Sequence, residues 1–236
     1  MSYETISIEH AGASFSVTTF GGHLLSYTPP SHPTSVLWLS SSHARDMSRS
    51  IRGGVPVCFP QFGRAHDKIS PQHGFARVQR WTLVSRTSAG VTMALSSAEN
   101  QAAARPAGGM WPAGPQCPYR ARLTLSLSLL PDGSLSYAMA VKNEAETAMP
   151  YQLLLHNYFS ADSQAPDFGV AGLAGYSVVD TQPRGREGEG QAYFVQGEGP
   201  VVVDGEVDRI FHGPGPVGAA ISRGGGGGEL EVTVTA

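Results

Sequence analysis

Residues 122–130, Arg-Leu-Thr-Leu-Ser-Leu-Ser-Leu-Leu, alternate leucine with polar residues almost without a break. A period of two places the leucines on one face and the polar side chains on the other, as in a half-buried strand. Pro131-Asp132-Gly133 supplies the turn chemistry, and residues 134–142 alternate again, so the segment predicts a hairpin. The same grammar recurs along the chain. Residues 5–10 and 14–20 flank Ala11-Gly12-Ala13, and residues 81–86 and 91–96 flank Ser88-Ala89-Gly90. Residues 36–39, 151–159, 201–203, 210–211 and 229–236 read as further strands. Helix signals are nearly absent. Residues 98–116, 181–191 and 224–228 read as loops. With 29 Gly and 17 Pro among 236 residues, turns are plentiful, and the expected class is all-β in a single domain, 1–236.

Charge is unevenly spread. The net charge is −3, yet residues 45–80 hold seven Lys/Arg and two Asp, a local +5. The remainder therefore carries −8. An acidic protein with one basic zone is not expected to bind nucleic acid or an anionic membrane. The zone suits a small anion, and equally an arginine-rich solvated loop. No run of 18 apolar residues and no basic-then-apolar leader is present, so a protein of the cytoplasm, off the membrane, is expected. Two cysteines, Cys58 and Cys117, make no disulfide framework, and Cys58 reads as a buried small hydrophobe.

Within the basic zone two glycine-punctuated segments gather polar groups. In Arg52-Gly53-Gly54-Val55-Pro56-Val57-Cys58-Phe59-Pro60-Gln61-Phe62-Gly63 the glycines let the backbone bend tightly behind Arg52. Gln72-His73-Gly74-Phe75-Ala76-Arg77 adds a second arginine with amide support. Two fixed guanidinium groups suit a phosphate or carboxylate. His73 is read first as a buried histidine bonded to backbone. His156, inside Leu153-Leu154-Leu155-His156-Asn157-Tyr158-Phe159, fits a satisfied core histidine and also a general acid. Asp208-Arg209 reads as a surface ion pair or as a contact to sugar hydroxyls. There is no GxSxG elbow, no phosphate-binding P-loop, no HExxH and no aromatic stacking platform.

Residues 51–63, then Pro71-Gln72-His73-Gly74-Phe75-Ala76-Arg77 and Trp81, resemble the glucose-6-phosphate 1-epimerase (hexose-6-phosphate mutarotase) family, in the aldose-1-epimerase-like group. The likeness continues through residues 155–159, 172–176, Asp180 and 207–210 in order. It implies a β-supersandwich of the galactose mutarotase-like type and no metal or organic cofactor; a monomer is expected. It implies interconversion of the α and β anomers of a hexose 6-phosphate. Arg52, Gln72 and Arg77 would bind substrate, His156 would be catalytic, and Asp208 would contact the sugar. The family's base is a glutamate in a Cys-x-Glu-like context after Trp-Asn-Pro, and neither segment occurs before Ala236. The expectation is a chain shortened at its C-terminus relative to the family and weak or inactive alone. The alternative is a non-catalytic sugar-phosphate or carbohydrate binding protein on the same fold.

Overall fold

The computed structural model describes residues 3–42, 47, 49–63, 72–97, 120–160, 168–182, 190–203, 205–213, 217–223 and 229–234. The chain forms two compact units, Met1–Phe159 and Ser160–Ala236. Strands dominate both. Among the described elements the one helical piece is a 3-10 turn, η1, at Ala76–Val78.

In the first unit, β1 (Thr5–His10), β2 (Ala13–Thr18) and β3 (His23–Thr28) form an antiparallel sheet in that order. The β1–β2 turn lies at Ala11-Gly12, as expected from sequence. β4 (Val57–Cys58) pairs with β9 (Leu154–Leu155). β5 (Thr82–Arg86), β6 (Gly90–Ser96), β7 (Ala121–Leu129) and β8 (Leu135–Asn143) form a second meander in chain order. The leucine alternation is realised residue by residue. Leu123, Leu125, Leu127 and Leu129 are buried, while Arg122, Thr124, Ser126 and Ser128 are less so. These leucines meet Ile6 and Ile8 of β1, Phe15 and Val17 of β2, and Val91, Met93 and Leu95 of β6 in one core. Trp81 is buried there too, its Nε1–H donating to the Ala76 carbonyl at 3.0 Å. Each fully buried leucine contributes roughly 2 kcal/mol through removal from water.

The second unit holds two antiparallel sheets. One has the order β13 (Val201–Val202), β10 (Phe168–Ala171), β15 (Val217–Arg223), β16 (Glu229–Val234). The other has the order β12 (Ala192–Val195), β11 (Ser177–Asp180), β14 (Arg209–His212). Arg209 stands opposite Asp180 in the β11–β14 register, and its Nε–H donates to Asp180 Oδ2 at 2.8 Å. The Arg209 guanidinium also lies 5.4 Å from the centre of the Phe194 ring.

Two sequence expectations are corrected. Residues 36–39 form no strand but isolated bridges, Leu37 to Phe159 and Leu39 to Gly53. Residues 151–159 are regular strand only at Leu154–Leu155. The partner segment explains the second case, because Pro56 and Pro60 accept hydrogen bonds from it but have no N–H to return. The loops at 98–116 and 224–228 and most of 181–191 lie outside the described residues, as does Cys117.

Candidate active site

The site of the first unit grows from the pairing of residues 54–60 with 152–158. The Tyr158, His156 and Gln152 N–H groups donate to the carbonyls of Gly54, Pro56 and Pro60 at 2.9, 3.0 and 2.8 Å. Alternation sorts the side chains. Val55, Val57, Phe59 and Leu155 face the core, whereas Pro56, Cys58, His156 and Tyr158 line a cavity of about 540 Å³. The ladder therefore sets His156 beside the Arg52 segment. Behind Arg52 the backbone turns through Gly54 at φ +61, where a β-carbon would overlap the Leu24 carbonyl oxygen. Buried His23 braces this turn, with Nε2 2.8 Å from the Gly53 carbonyl.

The second motif closes against the first at Gly74, which has φ +73 and bridges in parallel to Phe59. The Phe75 N–H donates to the Phe59 carbonyl at 2.9 Å, and the Phe75 and Phe59 rings meet edge to face, 5.7 Å apart. With Phe75 and Ala76 buried, η1 delivers Arg77 to the cavity. One Arg77 Nη donates to the Gln72 carbonyl at 2.6 Å, and its buried Nε has no hydrogen-bond partner. Burial is the main influence holding the Arg77 guanidinium below its usual range.

His73 and His156 meet edge to face at 5.7 Å, with Phe62 4.8 Å from the first ring and 6.1 Å from the second. Tyr158 stacks on His156 at 4.7 Å with 17° between planes. The Gly63 N–H donates to His73 Nδ1 at 3.1 Å, which leaves the neutral ring's proton on Nε2. Burial, then Arg77 and His156, push His73 down to about 4. His156 is lowered chiefly by burial, with Arg77 acting in the same direction. Both rings are thus held toward their neutral form. Burial pushes the Cys58 thiol up to about 11, so it is no thiolate.

The cavity lining includes three guanidinium groups, Arg49, Arg52 and Arg77, and among the described residues no carboxylate. Among the described residues no group of three or more His, Cys, Asp or Glu is placed to hold a metal ion. A site so lined attracts an anion and offers imidazoles for proton transfer beside it.

The family model for aldose 1-epimerase matches residues 4–232. The chain belongs to the aldose 1-epimerase family. The Escherichia coli protein named "Putative glucose-6-phosphate 1-epimerase" is 44% identical over 82 residues, covering 35% of this chain and 28% of that protein. The Cenchrus ciliaris protein of the same name is 27% identical over 203 residues, covering 81% of this chain and 55% of that one. The chain thus spans about half the length, or less, of these curated relatives. The crystal structure of a "putative mutarotase (YeaD)" from Salmonella typhimurium superposes with TM-score 0.69 at 23% identity, covering 94% of this chain and 68% of that one. A "galactose mutarotase related enzyme" from Lactobacillus acidophilus gives TM-score 0.67 at 15% identity, covering 93% and 73%. The fold of this family member is therefore the all-β, galactose mutarotase-like one expected from sequence.

Of the residues singled out in the sequence, Arg52, Gln72, Arg77 and His156 line one cavity of the first unit. Asp208 belongs to the second unit, where its side chain is exposed and its carbonyl accepts from Thr181 N–H and Oγ1–H at 2.9 and 3.0 Å. Arg209 is paired with Asp180, not with its neighbour Asp208. His73 is bonded to backbone as read but is half-buried rather than buried, because it lines the cavity. Sequence reasoning missed Arg49, His23 and the stacking role of Tyr158. Only Arg49 left a trace there, as one more charge in the basic zone.

Proposed function

We propose that the cavity binds a hexose 6-phosphate, and that the whole protein interconverts its α and β anomers. The observation that carries this reading is the gathering of three guanidinium groups and two imidazoles around one cavity. The names of the partial relatives support the phosphorylated sugar as ligand. Arg52 and Arg77 take the phosphate and Gln72 supports the ligand with its amide. Asp208 is proposed as a sugar contact on sequence position alone. The family match runs through both units, which supports reading them as one family domain.

In the proposed reaction a base removes the C1 hydroxyl proton while His156 protonates the ring oxygen, and the C1–ring oxygen bond breaks. The free aldehyde end rotates, and the ring closes on its other face with the protons returned. A depressed His156 is a poor proton carrier by itself. A phosphate dianion beside Arg77 offsets one of the charges that depresses it, so ligand binding readies the acid.

Binding without turnover is the second reading, favoured by the lack of a carboxylate base in the described lining. Calorimetry with glucose 6-phosphate, followed by exchange NMR between its anomers, tests both. Binding with anomer exchange supports the first reading, and binding without exchange supports the second. A cooperatively folded chain that binds no hexose phosphate would falsify both.

A further inference from the structure

We propose that Arg49 is a third arm of the anion clamp and that it favours a doubly charged phosphate over singly charged anions. This rests on the reading of the cavity as a hexose 6-phosphate site. Arg49 lines the same cavity as Arg52 and Arg77. The ion pairs found among the described residues, Arg122–Glu144 and Arg209–Asp180, involve none of the three. Three guanidinium groups around one space repel one another, and an anion between them reverses the sign of that energy.

Arg49 is also held in place relative to Arg52. The Ser40 N–H donates to the Arg52 carbonyl at 3.0 Å. The Ser42 N–H donates to Ser40 Oγ at 3.3 Å. The Arg49 Nη2–H donates to the Ser42 carbonyl at 3.3 Å. This relay runs from the backbone of one clamp arginine to the head group of the next. It uses one of the five N–H donors of the Arg49 guanidinium. Ser50 and the Ser40–Ser42 hydroxyl pair, hydrogen-bonded to each other at 3.1 Å, line the cavity beside it. Such a wall fits the several acceptor oxygens of a phosphate better than the two of a carboxylate.

The charge dependence gives the test. A phosphate monoester changes from one negative charge to two near pH 6. Coulomb energy is proportional to ligand charge, so a tenfold loss for the dianion corresponds to about threefold for the monoanion. Arg49→Gln is expected to weaken glucose 6-phosphate binding roughly tenfold at pH 7.5 and roughly threefold at pH 5, measured by calorimetry. Inorganic phosphate is expected to follow the same pattern, and Arg49→Lys to fall between. Lys142→Gln, which makes the same change in net charge on β8, is expected to stay within about twofold of the unaltered chain at both pH values. If the unaltered chain binds and Arg49→Gln binds within twofold of it at pH 7.5, this inference is overturned while the cavity reading stands. Equal losses for Arg49→Gln and Lys142→Gln overturn it too. Failure of the unaltered chain to bind overturns both.

Discussion

Replacing Gly74 by alanine tests whether the two motif segments depend on each other. At φ +73 an L-residue is strained by about 1–2 kcal/mol. The added β-carbon would also overlap the Phe59 carbonyl group and stand 2.7 Å from Pro60 N, where real β-carbons essentially never come below 3.0 Å. The neighbours are backbone atoms, so the two segments must part. The Phe75 N–H to Phe59 carbonyl bond, 2.9 Å long, then stretches out of range, and a buried donor without a partner costs about 1–3 kcal/mol. The expected loss of stability is about 2–5 kcal/mol. Gly63 provides the control. Its φ of +74 is nearly the same, but a β-carbon there meets nothing within 4 Å. Gly63→Ala should therefore carry the backbone strain alone, about 1–2 kcal/mol. Urea unfolding of the two variants, compared at a common slope, reads the difference, which is the cost of the overlap. Equal destabilisation of the two variants, within about 0.5 kcal/mol, would refute the reasoning.

Arg77→Gln should weaken glucose 6-phosphate binding roughly ten- to hundredfold, while His156→Gln leaves affinity within about threefold, since a neutral imidazole gives phosphate no charge. A large calorimetric loss for His156→Gln would reverse those roles. The His156 ring should titrate at higher pH with glucose 6-phosphate bound than without it, read from its NMR shifts, and an unchanged or lower midpoint would contradict the link to Arg77. His73 is held at about 4 in the folded chain against about 6.5 unfolded, so its stability contribution is complete above pH 6.5 and declines as pH falls toward 4. His73→Asn tolerates the positive φ of that position and should flatten this part of the stability–pH curve; parallel curves would count against it. Asp180→Asn should cost about 1–3 kcal/mol in urea unfolding, because it removes the charge from a buried carboxylate paired at 2.8 Å with a partly exposed Arg209.

Where a strand buries one face only, its sequence shows it. β7 and β8 lie within a residue of the bounds expected from alternation. β3 left no such signal because it is buried on both sides. Leu24 packs in the main core, while Leu25 packs with Phe20 and Ile51 in a second cluster. Four-residue β10, β11 and β12 are too short for any period to emerge. In the site, the glycines and arginines of the two motifs were legible because turns and charge are local properties. The ring contacts of His73, His156 and Tyr158 were not, since they depend on pairing between segments far apart in the chain. Arg49 was hidden for a similar reason: its position depends on a serine turn at residues 40–42 that no periodicity marks.

The pairing that builds the site also couples binding to proton chemistry. One face of residues 54–58 and 154–158 is core and the other is cavity, so packing fixes His156 near Arg77 without any contact made for that purpose. Burial first, and then Arg77, hold both imidazoles toward their neutral form. On the proposed function, a phosphate at Arg77 offsets that part of the pull at the moment the sugar ring arrives beside His156. A sugar without phosphate leaves the pull in place. Discrimination then falls on the rate of ring opening as well as on affinity, because the phosphate's binding energy is expressed where the proton must move.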